Sequence, residues 1–268
     1  MHQRSFRQYG FTLIELSIVL VIIGLVVGGL LTGQTLIHSA ALRSQIKQIQ
    51  DYDTAYNTFV LKYNCIPGDC ANATTLFGTT DPLGNPITNG DGNGLIQGNA
   101  AGVIEPYAYG ERWQDGEWVG TLQELALSKM IAFSPSSTTS GAIGQGHPAL
   151  ALNSSAGFFI AATTNFCCGI TNMTPYGSGD NMIFMVDANS AAGGRMNTWD
   201  AYGAIFTPSD LQAIDTKIDD GAPFSGHFLG YGSEYGPNNN CVSNPYISTP
   251  TYALSYNTAQ CIAAYVIN

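Results

Sequence analysis

Between Leu16 and Ile37 the chain carries no charged residue over 22 consecutive positions. As a helix rising about 1.5 Å per residue, that run covers about 33 Å, enough to cross a hydrocarbon core about 30 Å thick. The residues before it, Met1–Gly10, hold His2, Arg4 and Arg7 and no acid. Positive flanks stay on the cytoplasmic side, which sends the rest of the chain across the membrane. Composition agrees with export. Only 10% of the residues are charged, against about 25% in an ordinary soluble domain, and the six Cys suit an oxidising compartment. Nine Lys and Arg within a net charge of −10 leave no basic surface for nucleic acid. An apolar content of 45% excludes a disordered chain.

A secretory signal cut near Ser39-Ala40-Ala41 would need an apolar core of about 7–15 residues, shorter than this one. A plain membrane anchor leaves Glu15 unexplained. An unpaired carboxylate inside an apolar span costs about 2.5–3.5 kcal/mol, so it calls for a partner.

The stretch Arg7-Gln8-Tyr9-Gly10-Phe11-Thr12-Leu13-Ile14-Glu15-Leu16 resembles the class III signal of type IV prepilins and type II secretion pseudopilins. The resemblance implies a leader of residues 1–10 removed by prepilin peptidase after Gly10, with methylation of the new N-terminal Phe11. It implies a transmembrane or filament-core helix over 11–37, its amphipathic continuation over 38–63 and an extracytoplasmic head over 64–268. Glu15 matches the family's glutamate five residues into the mature chain and is expected to meet the Phe11 amine of a neighbouring subunit. Pairing two desolvated opposite charges relieves a cost either would carry alone. The expected partners are other pilin subunits, in a homo- or hetero-filament, the peptidase and an inner-membrane assembly platform. Before assembly the chain would sit in the inner membrane as a single pass with its N-terminus cytoplasmic, and afterwards in a periplasmic or extracellular filament. Many pilins carry a proline where Thr32 stands here. Gly24, Gly28, Gly29 and Gly33 would allow either local melting or close helix packing.

Beyond the apolar run, Leu42, Ile46, Ile49, Tyr56, Val60 and Tyr63 recur at spacings of four and three, with Asp53 in the gap. That period predicts a helix with one apolar seam, continuous from Phe11 to about Lys62 and about 78 Å long. Residues 64–118 read as loops. A second helix is expected over 121–131, with Thr121 and Glu124 as a capping box, and a third over about 208–220, capped by Thr207 with Pro208 and Asp210 in its first turn. Strands are expected at Gly157–Ala162, Asn181–Asp187 and Ala259–Ile267. The fold class is α+β: a long N-terminal helix packed on a small antiparallel sheet, with short helices and long loops.

Cys65 and Cys70 flank Pro67-Gly68 and suit a local staple. Cys241 and Cys261 bracket a segment that pilin families often close with a disulfide. Cys167 and Cys168 could form a strained ring or bond elsewhere. A zinc site competes, though no two clean CxxC pairs support it. Asn89, Asp91, Asn93 and Leu95 space like the first half of an EF-hand loop and make calcium a possible cofactor. The twelfth place is Ala100, with Glu105 as a distant substitute. Pseudopilin relatives with calcium in their heads support this reading. Asp215, Asp219 and Asp220 crowd the end of the third helix, where its dipole disfavours anions. They need a cation or the amides of the Gly221-Ala222-Pro223 loop. No Gly-x-Ser-x-Gly, His-Glu-x-x-His or phosphate loop occurs, and no catalytic residue is expected. Three functions remain: a structural pilus subunit, a secretion pseudopilin, and an anchored exported binding module or adhesin that does not polymerise.

Overall fold

The computed structural model describes residues 12–97, 116–136, 143–162, 180–189, 195–196, 205–232, 240–243, 250–259 and 261–267. The chain divides into two compact units, Met1–Ala41 and Leu42–Asn268. Helix α1 (Leu13–Tyr63) supplies residues to both.

In the first unit the helix finds no interior. Its described large apolar side chains from Leu13 to Ile37 are between 49% (Val27) and 89% (Leu13) exposed. Each such Leu, Ile or Val stabilises by about 1.5–3 kcal/mol when covered, so this surface demands lipid or protein around it. The hydroxyls in the run are satisfied within the helix. Thr32 donates to the Gly28 carbonyl at 3.1 Å, Thr35 to the Thr32 carbonyl at 2.9 Å and Ser17 to the Ile14 carbonyl at 2.9 Å. No hydroxyl donor is left facing an apolar medium at these positions. Helical structure continues through all four glycines.

In the second unit, α1 buries Ile46, Ile49, Tyr52, Ala55, Tyr56 and Phe59. The seam therefore runs through Tyr52 and Phe59, whereas Asp53, expected in the seam's gap, is half-buried beside it, with Val60 and Tyr63 at its margin. Aromatic rings carry more buried area than the aliphatic residues that set the period, and they draw the helix face round by one position.

The sheet is antiparallel with strand order β1-β2-β7-β4: β1 (Ala156–Ala162), β2 (Asn181–Asn189), β7 (Cys261–Val266) and β4 (Phe228–Gly232). The two-residue β3 (Arg195–Met196) pairs with β2. A separate ribbon joins β5 (Val242–Ser243) and β6 (Thr251–Tyr252). Alternate residues of β1 face opposite ways. Phe158 meets Tyr52 of α1 edge-on at 4.3 Å, while Phe159 lies 6.3 Å from Trp118 of α3 (Glu117–Leu127). Both faces are thus covered, and every residue of β1 is buried.

Helix α4 (Pro208–Ile218) begins as expected, with a reciprocal Thr207–Asp210 capping box and Pro208 in its first turn. Helix α3 does not. It starts four residues before Thr121, with Gly116 at its N-cap. Thr121 and Glu124 lie inside it and turn to tertiary partners: Thr121 Oγ1 donates to the Pro67 carbonyl at 3.1 Å, and Glu124 Oε2 accepts from the Gly68 amide at 2.8 Å. The short α2 (Ala73–Phe77) lies in a stretch expected to be loop. The architecture is α+β and pilin-like: a long N-terminal helix, a small antiparallel sheet and short helices.

Candidate functional site

Gly10 and Phe11 lie outside the described residues. Glu15 is exposed, on the first turn of α1. Its Oε2 accepts from the Thr12 amide at 2.8 Å and from the Thr12 hydroxyl at 2.7 Å, and the Glu15 amide donates back to that hydroxyl at 3.3 Å. This is a capping box, with Thr12 before the helix and the acid three residues on. The Thr12-Leu13-Ile14-Glu15 pattern stands in the sequence and was readable there. Within one subunit, Glu15 thus caps the amide ends of its own helix, and its negative charge suits the positive end of the helix dipole.

A second group of acids sits in the head. Carboxylate oxygens of Asp69, Asp91 and Glu117 lie within 4.8 Å of one another. They come from the loop after α1, the glycine-rich loop and the start of α3. Each carboxylate takes backbone amides: Asp69 those of Gly92, Asn93 and Gly94, Asp91 that of Asn93, and Glu117 those of Asp91 and Gln97. The Cys65–Cys70 disulfide closes the loop that carries Asp69. Gly68 lets that loop touch α3. Its φ is +87°, and a Cβ there would come 2.3 Å from the Glu117 carbonyl oxygen, which no other residue tolerates. Burial pushes the Glu117 carboxyl up to about 7 and that of Glu124 up to about 8, and it raises Asp69 as well.

Of the residues read from the sequence as calcium ligands, Asp91 is one of these carboxylates, and Asn93 touches it, its Nδ2 donating to Asp91 Oδ2 at 2.8 Å. Asn89 Oδ1 instead accepts from the Thr74 amide at 2.8 Å, at the start of α2. Asn93 Oδ1 accepts from the Leu95 amide at 2.8 Å. Ala100 and Glu105 lie outside the described residues. A linear reading of one loop missed Asp69 and Glu117 because they reach it only through the fold.

Asp215, Asp219 and Asp220 form another acidic group at the end of α4, and backbone amides absorb it. Asp219 accepts from the amides of Asp220, His227 and Phe228. Asp220 accepts from the Ala222 amide at 2.9 Å and the Ser225 hydroxyl at 2.6 Å. Asp215 accepts from the Gly221 amide at 3.0 Å and the Tyr252 hydroxyl at 2.7 Å. Gly226 (φ +71°) makes room, since a Cβ there would strike the Asp219 carboxylate. Burial and the neighbouring Asp219 push the Asp215 carboxyl up to about 8. The loop amides sought from the sequence are therefore the partners of these acids.

Cys241 is bonded to Cys261, which ties the β5–β6 ribbon to the first residue of β7. Cys167 and Cys168 lie outside the described residues. His147 is 3% exposed and stacks on Trp118 with ring centroids 5.6 Å apart. Burial pushes its pKa down to about 4, which suits a neutral packing residue.

No curated protein and no solved structure matches the chain. Residues 5–31 match the family model for the prokaryotic N-terminal methylation motif. That motif is the class III prepilin signal, and the chain carrying it is type IV pilin- or pseudopilin-like.

Proposed function

We propose that this protein is a structural subunit of a type IV pilus or pilus-like filament. Prepilin peptidase cuts it after Gly10 and methylates Phe11, and an inner-membrane platform assembles it through α1 with other pilin subunits. One observation carries the reading. The methylation motif over residues 5–31 sets a single acid, Glu15, at the head of a helix whose described large apolar side chains from Leu13 to Ile37 are exposed. Such a surface is stable in a bilayer before assembly and among like helices afterwards. Cleavage after Gly10 would place a new ammonium one residue before Thr12. Glu15, which caps its own helix through Thr12, would exchange that local contact for the amine of the next subunit. The exchange fixes the axial register between neighbours.

Mass spectrometry of the N-terminus of protein sheared from the cell surface tests this. The expected result is a methylated Phe11 in a filament fraction. Protein cut at Phe11 but absent from that fraction would favour a short secretion pseudopilus. An N-terminus near Ala41, or an uncut Met1, would overturn the reading and leave an anchored binding module.

A further inference from the structure

Some side chains are chemically labile because of the residue that follows them. When glycine follows Asn or Asp, no Cβ shields the next amide. That amide nitrogen can lose its proton and attack the side-chain carbonyl carbon. A C–N bond forms and a five-membered succinimide closes, expelling ammonia from Asn or water from a protonated Asp. Water then opens the ring to Asp or to isoaspartate, which puts an extra methylene in the main chain. Among the described residues such pairs are Asn89-Gly90, Asp91-Gly92, Asn93-Gly94 and Asp220-Gly221. Their Asn and Asp residues are all exposed to the water this needs. The fold requires the glycines. Gly92, Gly94 and Gly221 have φ of +74°, +93° and +75°, and a Cβ on Gly90 would come 2.4 Å from Asp69 Cα.

Each attacking amide is already engaged. Gly92 donates to Asp69 Oδ1 at 2.6 Å and Gly94 to Asp69 Oδ2 at 2.8 Å. Gly221 donates to Asp215 Oδ1 at 3.0 Å, and Gly90 to the Cys70 carbonyl at 3.0 Å. The groups under attack are held too. Asn93 Oδ1 accepts from the Leu95 amide and its Nδ2 donates to Asp91, while Asp220 accepts from the Ala222 amide and the Ser225 hydroxyl. A bonded N–H must give up its partner before it ionises, and a pinned peptide cannot turn toward the side chain before it. Asp69 is 2% exposed and Asp215 fully buried. Asp69 is placed by the Cys65–Cys70 loop, Asp215 by α4 and by the Tyr252 hydroxyl. Two buried acids in separate parts of the head thus hold glycine amides in the same way.

We propose that Asn93 and Asp220 are latent sites of succinimide modification, kept unreactive because Asp69 and Asp215 hold the amides of Gly94 and Gly221. Asp91 shares the first guard through Gly92. Asn89 is the internal reference, since a main-chain carbonyl holds its glycine and no side-chain substitution removes that acceptor. The inference does not depend on the filament reading.

The full chain in detergent micelles, incubated warm at neutral pH and mapped by peptide mass spectrometry for Asp and isoaspartate, tests this. Thermal unfolding confirms that each variant is folded. Asp69→Ala is expected to raise modification of Asn93 several-fold and leave Asn89 and Asp220 unchanged. Asp215→Ala is expected to raise isoaspartate at Asp220 alone. Asn93 as slow in folded Asp69→Ala as in the unsubstituted protein would overturn the proposal. So would Asn89 rising in step with Asn93, the mark of a loop that has merely loosened. Should a variant lose its fold, the unsubstituted protein decides: Asn93 and Asp220 reacting as fast in the folded head as in urea would overturn the proposal equally.

Discussion

The unit before Leu42 and the unit after it treat apolar side chains in opposite ways. In the first, the described Leu, Ile and Val side chains from Leu13 to Ile37 are exposed, and the hydroxyls among them bond back to their own helix. In the second, Phe59, Phe206 and Phe228 are wholly buried, and the buried acids take amides from distant loops. One unit can be completed only by its surroundings, while the other completes itself. Mutations in the two should therefore be felt in different measurements.

The largest effect belongs to the first unit. Glu15→Ala is expected to reduce surface filaments by more than about tenfold, since the remaining buried amine would lack its counter-charge, while the head's thermal unfolding stays unchanged. Filaments at the unsubstituted level would erase the contrast. Phe59→Ala reverses the pattern. It should lower head stability by about 3–5 kcal/mol in chemical denaturation, yet leave the mature N-terminus as it was. Replacing Cys241 and Cys261 together by Ser should cost the head about 2–4 kcal/mol, measured the same way, again without changing processing.

The remaining effects are in pH, and two groups within the head oppose each other. His147 has a folded pKa of about 4, below its ordinary 6.5. Its contribution to stability is complete above pH 6.5 and is lost as pH falls toward 4. Asp215, beside Asp219 and Tyr252, has a folded pKa of about 8, above its ordinary 3.8. Its contribution is complete below pH 4 and is lost as pH rises through 8. His147→Phe should flatten the acid side of a Tm–pH profile and Asp215→Asn the alkaline side. Profiles parallel to that of the unsubstituted protein would show that neither group titrates as its surroundings dictate.

What the sequence disclosed follows the range of the interactions. The start of α4 was legible because Thr207, Pro208 and Asp210 act on one another within a single turn. The same signature misled at Thr121 and Glu124, whose partners are Pro67 and Gly68, more than 50 residues away. Tyr52 and Phe59 were missed because packing against Phe158 and Phe77, not helical period, brings them inward. The strand β4 and the ribbon β5–β6 are short segments stabilised by β7 and by Cys261, and no local pattern announces that. The acids of the head show the same division. Asp91 stood out in its loop, whereas Asp69 and Glu117 become its neighbours only when a disulfide loop and a helix start meet it.

The strand order β1-β2-β7-β4 has a consequence for the order in which the head can fold. β7, at Cys261–Val266, is the strand through which β2 and β4 are joined. As the chain is made from its N-terminus, β1 and β2 can pair early, but the next place in the sheet stays vacant until these late residues arrive. During that interval an edge of β2 and an unsupported β4 are open to any other strand nearby. A rapid closure of Cys241 onto Cys261 would shorten that exposure, so the disulfide bears on whether the head folds or aggregates as well as on how stable it is once folded.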